Sequence, residues 1–268
     1  HFFAGVIFIG AMVVAADSYG MDVLIASFLS GNHVEVSQVD EDTHTPTVTP
    51  TPTPLPGDAL TAYWNLNEGS GSSAADVTGN GYNGTVTGAV WATGYTGSAL
   101  DFDGNGDYVD LANDIFDSHS SGTIAAWIKP EALGNLTILA SGSDSDVNYF
   151  FKFFVFNTSG SNLHLYVGAK SPTNNYVRST TSLTVGEWYH VAATSDGSQW
   201  RLYINGVEET LVVFSGSNAG RWFSSVDVGV NSYMLGSLQS ALTVKETFNG
   251  VLDEVRVYNR PLSVAEIQ

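Results

Sequence analysis

Residues 186–206 read GEWYHVAATSDGSQWRLYING, and this stretch decides the fold class. Trp200, Leu202 and Ile204 alternate with an arginine and a tyrosine, which is the two-residue period of a strand with one buried face. The Asn-Gly pair that follows at 205–206 is typical of a two-residue hairpin turn, because both turn positions need positive φ. The stretch therefore predicts antiparallel strands joined by tight turns.

The composition extends this prediction to residues 58–268. The chain has 28 glycines and only 13% charged residues. Short strands with turn residues about every ten positions are the pattern of a β-sandwich rather than of helices. We therefore expect an all-β domain with little helix after residue 58.

The charge is strongly negative and unevenly placed. The formal net charge is −18, and the first Lys or Arg in the chain is Lys129. The first 128 residues cannot neutralise phosphates, which excludes nucleic acid as a partner. The chain has no cysteine, so disulfides and thiolate metal sites are excluded as well. An acidic surface promotes solubility and attracts divalent cations.

Residues 1–42 open with fifteen uncharged residues, 2–16, and predict a hydrophobic helix. At 1.5 Å per residue this run would form a helix about 22 Å long. A helix that crosses a bilayer needs roughly 20 apolar residues, so the run is too short to do so. The segment weakly resembles the apolar helices of type IV pilin-like and archaellin-like subunits. Three interpretations stay open: a filament core, a membrane anchor or insertion segment, and a signal-peptide remnant. If the segment forms a filament core, the residues expected to mediate self-assembly are Phe2, Phe3, Val6, Ile7, Phe8, Ile9 and Val13.

Residues 43–57 read THTPTVTPTPTPLPG and hold five of the eight prolines. Alternating proline fixes φ and removes amide donors, so the segment predicts a polyproline II linker. Eleven residues at about 3.1 Å each would hold the following domain roughly 34 Å away from the first segment.

Four more stretches join residues 186–206 in a recognisable order. They are 60–68 (LTAYWNLNE), 76–84 (DVTGNGYNG), 99–109 (ALDFDGNGDYV) and 248–262 (FNGVLDEVRVYNRPL). Together the five resemble the laminin-G-like, concanavalin A-like jelly-roll family over residues 58–268. The resemblance implies a two-sheet antiparallel jelly-roll sandwich. It is less specific for function, because the fold hosts lectins, adhesion modules, glycosidase accessories and structural spacers.

The family resemblance also implies a structural calcium ion near the acidic turns, with Asp76 and Asp253 as its ligands. Strand parity places Asp253 on the face of Val255 and Val257, toward the interior or its rim. A charge there needs a cation or several amide donors. The alternative is that Asp253 caps backbone amides and that Asp76 forms an Asx turn, in which its side chain binds a nearby backbone amide.

Catalysis is not expected. The adjacent acids Asp253 and Glu254 should project to opposite faces of a strand, so the two carboxylates could not act on one sugar. The chain also lacks a cysteine nucleophile and a G-x-S-x-G motif. We therefore predict that the protein is not an enzyme.

The aromatic residues divide by position. Tyr176, Trp222 and Tyr233 lie in turn-rich stretches and are the candidate glycan contacts. The tryptophans expected in the core by parity are Trp64, Trp127, Trp188 and Trp200. The strand at 149–156 (YFFKFFVF) is apolar on both faces except for Lys152. Its second face should be covered by a loop or by another subunit.

The resulting expectation is a non-enzymatic structural protein, located outside the cell or on its surface, that forms filaments through its N-terminal helix and displays the jelly-roll head. The alternative is a singly anchored adhesin that binds a glycan ligand. In both cases the predicted cofactor is structural calcium.

Overall fold

The computed structural model describes residues 6–9, 12–16, 23–28, 34–38 and 59–268, apart from 114, 144, 158–159, 161 and 227–229. The chain divides into two compact units, residues 1–53 and 54–268.

The first unit contains four short strands, β1 (Val6–Ile9), β2 (Met12–Ala16), β3 (Val23–Phe28) and β4 (Val34–Gln38). They pair antiparallel in chain order. The predicted N-terminal helix is therefore wrong for these residues. The strands are rich in Val, Ile and Phe, which favour strands, and glycines at 5, 10 and 20 weaken a helix.

Of the predicted self-assembly residues, Val6, Ile7, Phe8, Ile9 and Val13 lie on β1 and β2. Phe2, Phe3 and the Thr/Pro linker lie outside the described residues. The filament and membrane-insertion predictions depended on the helix, and the described part of this unit has none. In the described residues as a whole, no helix has the length and apolarity needed to span a bilayer.

The second unit is an all-β sandwich, as predicted. Its strands are β5 (Leu60–Trp64), β6 (Ser73–Ala74), β7 (Gly84–Thr87), β8 (Val90–Thr93), β9 (Ser98–Asp103), β10 (Tyr108–Leu111), β11 (Gly122–Pro130), β12 (Asn135–Ser143), β13 (Phe150–Phe156), β14 (Leu163–Lys170), β15 (Asn174–Leu183), β16 (Tyr189–Ser195), β17 (Trp200–Ile204), β18 (Val207–Glu208), β19 (Leu211–Ser215), β20 (Val230–Leu235), β21 (Leu238–Ser240), β22 (Thr243–Lys245) and β23 (Asn249–Tyr258). A 3₁₀ turn at Phe223–Ser225 and a terminal helix, α1 (Val264–Ile267), complete it.

Seventeen of these strands form two antiparallel sheets, and β21 and β22 pair with each other as a separate two-stranded sheet. The nine-stranded sheet has the order β19-β15-β14-β13-β12-β20-β10-β7-β6, and the eight-stranded sheet has the order β18-β17-β16-β11-β23-β9-β8 with β5 also paired to β23. One core cluster contains buried side chains of both sheets, including Trp64, Phe151, Trp200 and Leu252. Burial of this apolar surface is the main driving force for the fold.

The hairpin predicted from residues 186–206 is observed. Trp200 and Leu202 are buried and Arg201 is exposed on β17. Asn205 and Gly206 have φ of +50° and +76°, the left-handed conformation that this turn requires.

The second face of β13 is covered within the chain. Lys152 and Phe154 on that face are buried, although Phe153 and Val155 fill the core on the other. Lys152 Nζ lies 2.5 Å from Glu246 Oε2 and 3.7 Å from the centroid of the Phe154 ring. The loop alternative is therefore confirmed for β13, and a second subunit is not needed to cover it.

Candidate functional site

The Asp76 carboxylate accepts hydrogen bonds from several backbone amides. Its Oδ1 accepts hydrogen bonds from the amides of Tyr63 and Thr78, both at 3.1 Å, and its Oδ2 accepts one from the Tyr82 amide at 3.1 Å. The Thr78 hydroxyl lies 2.8 Å from both oxygens. Burial opposes ionisation, but these bonds outweigh it and lower the pKa of Asp76. Both oxygens are occupied by donors, which favours the amide-binding alternative over a calcium ligand.

Asp253 lies at a β-bulge on β23. Asp253 pairs with Trp127 and Arg256 pairs with Ala125, so Glu254 and Val255 both lie opposite one residue of β11. Glu254 has φ of +55°, the left-handed conformation of a bulge residue. The bulge is also where the neighbour of β23 changes from β9, which pairs through Leu252, to β5, which pairs from Val255.

The bulge corrects two predictions. Leu252 and Val255 both face the core, so Asp253, one position from Leu252, faces away from it. Residues paired across antiparallel strands share a face, and Asp253 shares that of Trp127. The predicted inward parity of Asp253 is therefore wrong. The predicted separation of Asp253 from Glu254 is also wrong, because the extra residue turns both carboxylates to the outer face.

The Glu254 carboxylate is held on that face through its Oε2 atom. It accepts a hydrogen bond from the Tyr63 hydroxyl at 2.6 Å and pairs with the Arg256 guanidinium. Arg256 also lies over the Tyr63 ring, 4.0 Å from its centroid. Burial, with the Glu254 hydrogen bond, raises the pKa of Tyr63 to about 12.

The Asp253 carboxylate lies beneath the turn between β8 and β9. Its Oδ2 accepts a hydrogen bond from the Thr96 amide at 3.0 Å, and the side chain is completely buried. Its Oδ1 has no hydrogen-bond partner among the described residues. Burial raises the pKa of Asp253 to about 6, the Thr96 bond opposes this, and the charge of Glu254 adds to it. A Cβ at Gly94 would lie 2.6 Å from Oδ2, so only glycine lets the turn approach this closely.

The same turn places Tyr95 over Trp127. The two rings are parallel within 10°, with centroids 3.4 Å apart. Tyr95 keeps 51% of its surface exposed, and Trp127 is half-buried beneath it. The turn closes through the bond from the Gly94 amide to the Gly97 carbonyl at 2.9 Å. The result is a rigid, half-exposed aromatic platform on the outer face of the eight-stranded sheet.

Further rings and one cation border the platform. Trp188 meets Tyr95 edge-on at 6.0 Å, and His190 lies 5.4 Å from Trp127. Lys129 Nζ lies 5.9 Å from the centroid of the Trp188 ring. We call the set Tyr95, Trp127, Trp188, His190 and Lys129 the Tyr95 cluster. Large exposed rings flanked by a few polar groups are typical of small-molecule sites.

The structure separates the predicted ligand contacts. Trp222 and Tyr233 are completely buried in the core cluster, so the prediction that they contact a glycan is wrong. They come from turn-rich sequence, yet their rings pack inward with Phe223. Tyr176 is half-buried against Phe150 and Phe154 on the nine-stranded sheet, away from the Tyr95 cluster. Its role stays a prediction.

Trp127 and Trp188 are half-exposed rather than core residues, whereas Trp64 and Trp200 are buried as predicted. Sequence reasoning missed Tyr95 altogether. The available signal was the run Gly-Tyr-Thr-Gly at 94–97, in which a large ring stands in the middle of a glycine-flanked turn.

Next to the cluster is an acidic cavity of about 340 Å³. Its charged lining consists of Asp101, Asp103, Asp107 and Glu131. In the parts of the chain that the structure describes, no group of three or more His, Cys, Asp or Glu side chains has an arrangement that could hold a metal ion. Calcium at Asp253 could use the unpartnered Oδ1 but would need carbonyl or water oxygens besides, and it stays a prediction.

Comparison with solved structures identifies the fold. Domain 4 of AbnA, a GH43 extracellular arabinanase from Geobacillus stearothermophilus, in complex with arabinotriose, is 23% identical with a TM-score of 0.57, covering 78% of this chain and 97% of that one. The CBM40 of the Ruminococcus gnavus IT-sialidase, bound to α2,3 sialyllactose, is 19% identical with a TM-score of 0.53, covering 63% and 92%. These similarities show the fold alone.

Comparison with families is more specific. No curated protein matches the chain. The profile of the concanavalin A-like lectin/glucanases superfamily matches residues 103–268, more than half of the chain, including β11 and β23, which carry Trp127 and Asp253. The chain therefore belongs to the concanavalin A-like lectin/glucanases superfamily.

Proposed function

We propose that residues 59–268 form a non-catalytic carbohydrate-binding domain and that the Tyr95 cluster is its sugar contact. The observation that carries this proposal is the half-exposed Tyr95 ring stacked flat on Trp127. Sugar rings have apolar C–H faces that pack on aromatic rings, and hydroxyl groups that hydrogen-bond at their edges. The cluster offers both kinds of contact, because polar groups of His190 and Lys129 border the rings.

The platform is held in place before any ligand binds. The Thr96 amide is bound to Asp253, and the Ser98 amide donates to Asn67 Oδ1 at 2.8 Å. A Cβ at Gly97 would lie 2.1 Å from that same Asn67 oxygen, so the turn fits closely against its support. A preorganised contact loses little conformational entropy on binding, which favours affinity.

The environments of Asp253 and Glu254 support binding rather than hydrolysis at the Tyr95 turn. Glycosidases need two carboxyl groups that flank the scissile bond and reach the sugar. Asp253 is buried beneath the Tyr95 turn, and Glu254 is bound to Tyr63 and Arg256. Neither carboxylate is presented to a ligand on Tyr95.

The fold neighbours support the ligand class and the location. One is named as complexed with arabinotriose and one as bound to sialyllactose, and the first belongs to an extracellular enzyme. We propose that this domain likewise works outside the cell or on its surface and binds a glycan.

A glycan array with the full chain tests the proposal. Binding should appear, and Tyr95→Ala should weaken it about ten-fold, since stacking and burial of one ring contribute roughly 1–2 kcal/mol. The matched control is Phe214→Ala, because Phe214 is 49% exposed but lies on the nine-stranded sheet, in contact with Tyr166.

Two results would count against the proposal. If Tyr95→Ala and Phe214→Ala retain equal affinity, the sugar contact lies elsewhere. If the bound glycans are shortened on incubation with the protein, with release of reducing ends, the domain is not a pure binder.

A further inference from the structure

The cations beside the Tyr95 cluster are already neutralised. Lys129 Nζ lies 2.7 Å from Glu131 Oε1. Arg256 is paired with Glu254 and stacked on Tyr63. A carboxylate on a ligand would therefore meet cations whose charge a glutamate already neutralises, and it would gain little Coulomb energy from either side chain.

His190 adds no positive charge at neutral pH. Burial, and then the charge of Arg256, lowers the pKa of His190 to about 4. Its imidazole can bind a hydroxyl group as donor or acceptor, depending on the tautomer, but it offers no cation for an acidic sugar.

The side of the cluster next to Lys129 is negatively charged. Cross-strand pairing puts Val90, Asp101, Val251 and Lys129 in one row on the outer face. The acidic cavity opens beside this row, and Glu131 both lines it and pairs with Lys129. Burial, and next the charge of Glu131, raises the pKa of Asp101, so these carboxylates lie close enough to repel one another.

We propose that the Tyr95 cluster selects neutral glycans and rejects glycans that carry a carboxylate or sulfate group. The inference depends on the proposed function. A neutral sugar can stack on Tyr95 and hydrogen-bond at its edge without meeting the acidic row. An anionic group would lose hydration beside like charges and gain no unpaired cation, and such repulsive elements are how binding sites exclude wrong ligands.

The test compares matched pairs on an array, each neutral glycan printed beside the same glycan with an added sialic acid, uronic acid or sulfate. The neutral member should bind more strongly, and the preference should persist from about 0.05 M to 0.5 M salt. High salt screens the net charge of the whole chain but only weakly screens groups in contact with the ligand. Equal or stronger binding of the acidic members, lost in Tyr95→Ala, would overturn the inference and leave the proposed function intact.

Glu131→Gln tests the role of the Lys129–Glu131 ion pair directly, because it removes the negative charge that neutralises Lys129. Binding of the acidic members relative to the neutral ones should rise about two- to five-fold, the range expected for a single partly exposed charge. The matched control is Glu208→Gln, which breaks the Arg201–Glu208 pair at 3.5 Å on β17 and β18. An unchanged ratio in Glu131→Gln, or an equal rise in Glu208→Gln, would overturn the inference. Absence of glycan binding altogether would overturn the proposed function and the inference with it.

Discussion

Replacing Asp253 by asparagine should stabilise the metal-free protein at neutral pH. The pKa of Asp253 is raised from 3.8 to about 6, chiefly by burial, so the folded state disfavours its charged form. At about 1.4 kcal/mol for each pKa unit, this corresponds to roughly 3 kcal/mol of folding free energy. Asparagine has the same shape, can still accept the hydrogen bond from the Thr96 amide, and carries no charge.

The direction in which pH changes the stability contribution of Asp253 follows from proton linkage. Between about pH 4 and pH 6 the folded state keeps the proton on Asp253, whereas the unfolded state has lost it. The contribution of this group to stability is therefore full below pH 3.8 and is lost as the pH rises through about 6. The advantage of Asp253→Asn should be largest at pH 7.5 and should shrink as the pH falls to 4.

Urea unfolding of both proteins, with chelator at pH 7.5, 6, 5 and 4, measures this difference. Asp196→Asn is a control of opposite sign, because hydrogen bonds from Ser198 and Gln199 lower the pKa of Asp196 to about 2. That variant should be less stable than the parent at neutral pH. If Asp253→Asn has the same stability as the parent at pH 7.5, or if its advantage does not depend on pH, the assignment of a buried charged Asp253 is refuted.

Three further predictions concern the polar groups of the sandwich. Asp76→Ala should lower the free energy of unfolding by about 2–4 kcal/mol in urea titrations, because the partly buried amides of Tyr63 and Tyr82 lose their acceptor; a loss below about 0.5 kcal/mol would contradict this. If calcium binds Asp253, adding it should raise the Tm of the parent and leave Asp253→Asn unchanged, and equal responses would exclude that ligand. Lys152→Met should cost less stability than Glu246→Ala, since only the second leaves a buried ammonium without a charged partner, bound to Asn135 Oδ1 alone; the reverse order in thermal unfolding would show that the ion pair is strongly stabilising.

Strand parity predicted the inner face of the sandwich well and the outer face poorly. Trp200 and Leu202 on β17 are buried as predicted, because β17 pairs with β16 without a register shift. On β23 one extra residue at Glu254 shifts the alternation, so counting back from Val255 assigned Asp253 to the wrong face. The bulge arises from the way β23 pairs with β11. The sequence of β23 alone carries no information about that pairing.

The same limit applied to the aromatic residues. Trp222 and Tyr233 lie in sequence that is typical of turns, but contacts with distant residues such as Phe151 and Phe116 bury them. Tyr95 reaches Trp127 from a turn 32 positions away in the chain, and no local pattern joins the two. In residues 1–42 the run of apolar residues predicted a helix. The described residues of this segment instead form strands, which Val and Ile favour.

The sequence by itself determined that this chain builds an antiparallel β-sandwich of the laminin-G-like type. That conclusion rests on composition and short-range alternation, which are properties of neighbouring residues. Only the tertiary structure decided which aromatic rings remain exposed, which acid lies beneath them and which cations are already paired. Those properties depend on strand register, one bulge and a turn folded over a neighbouring strand, and they arise only when segments far apart in the chain come into contact.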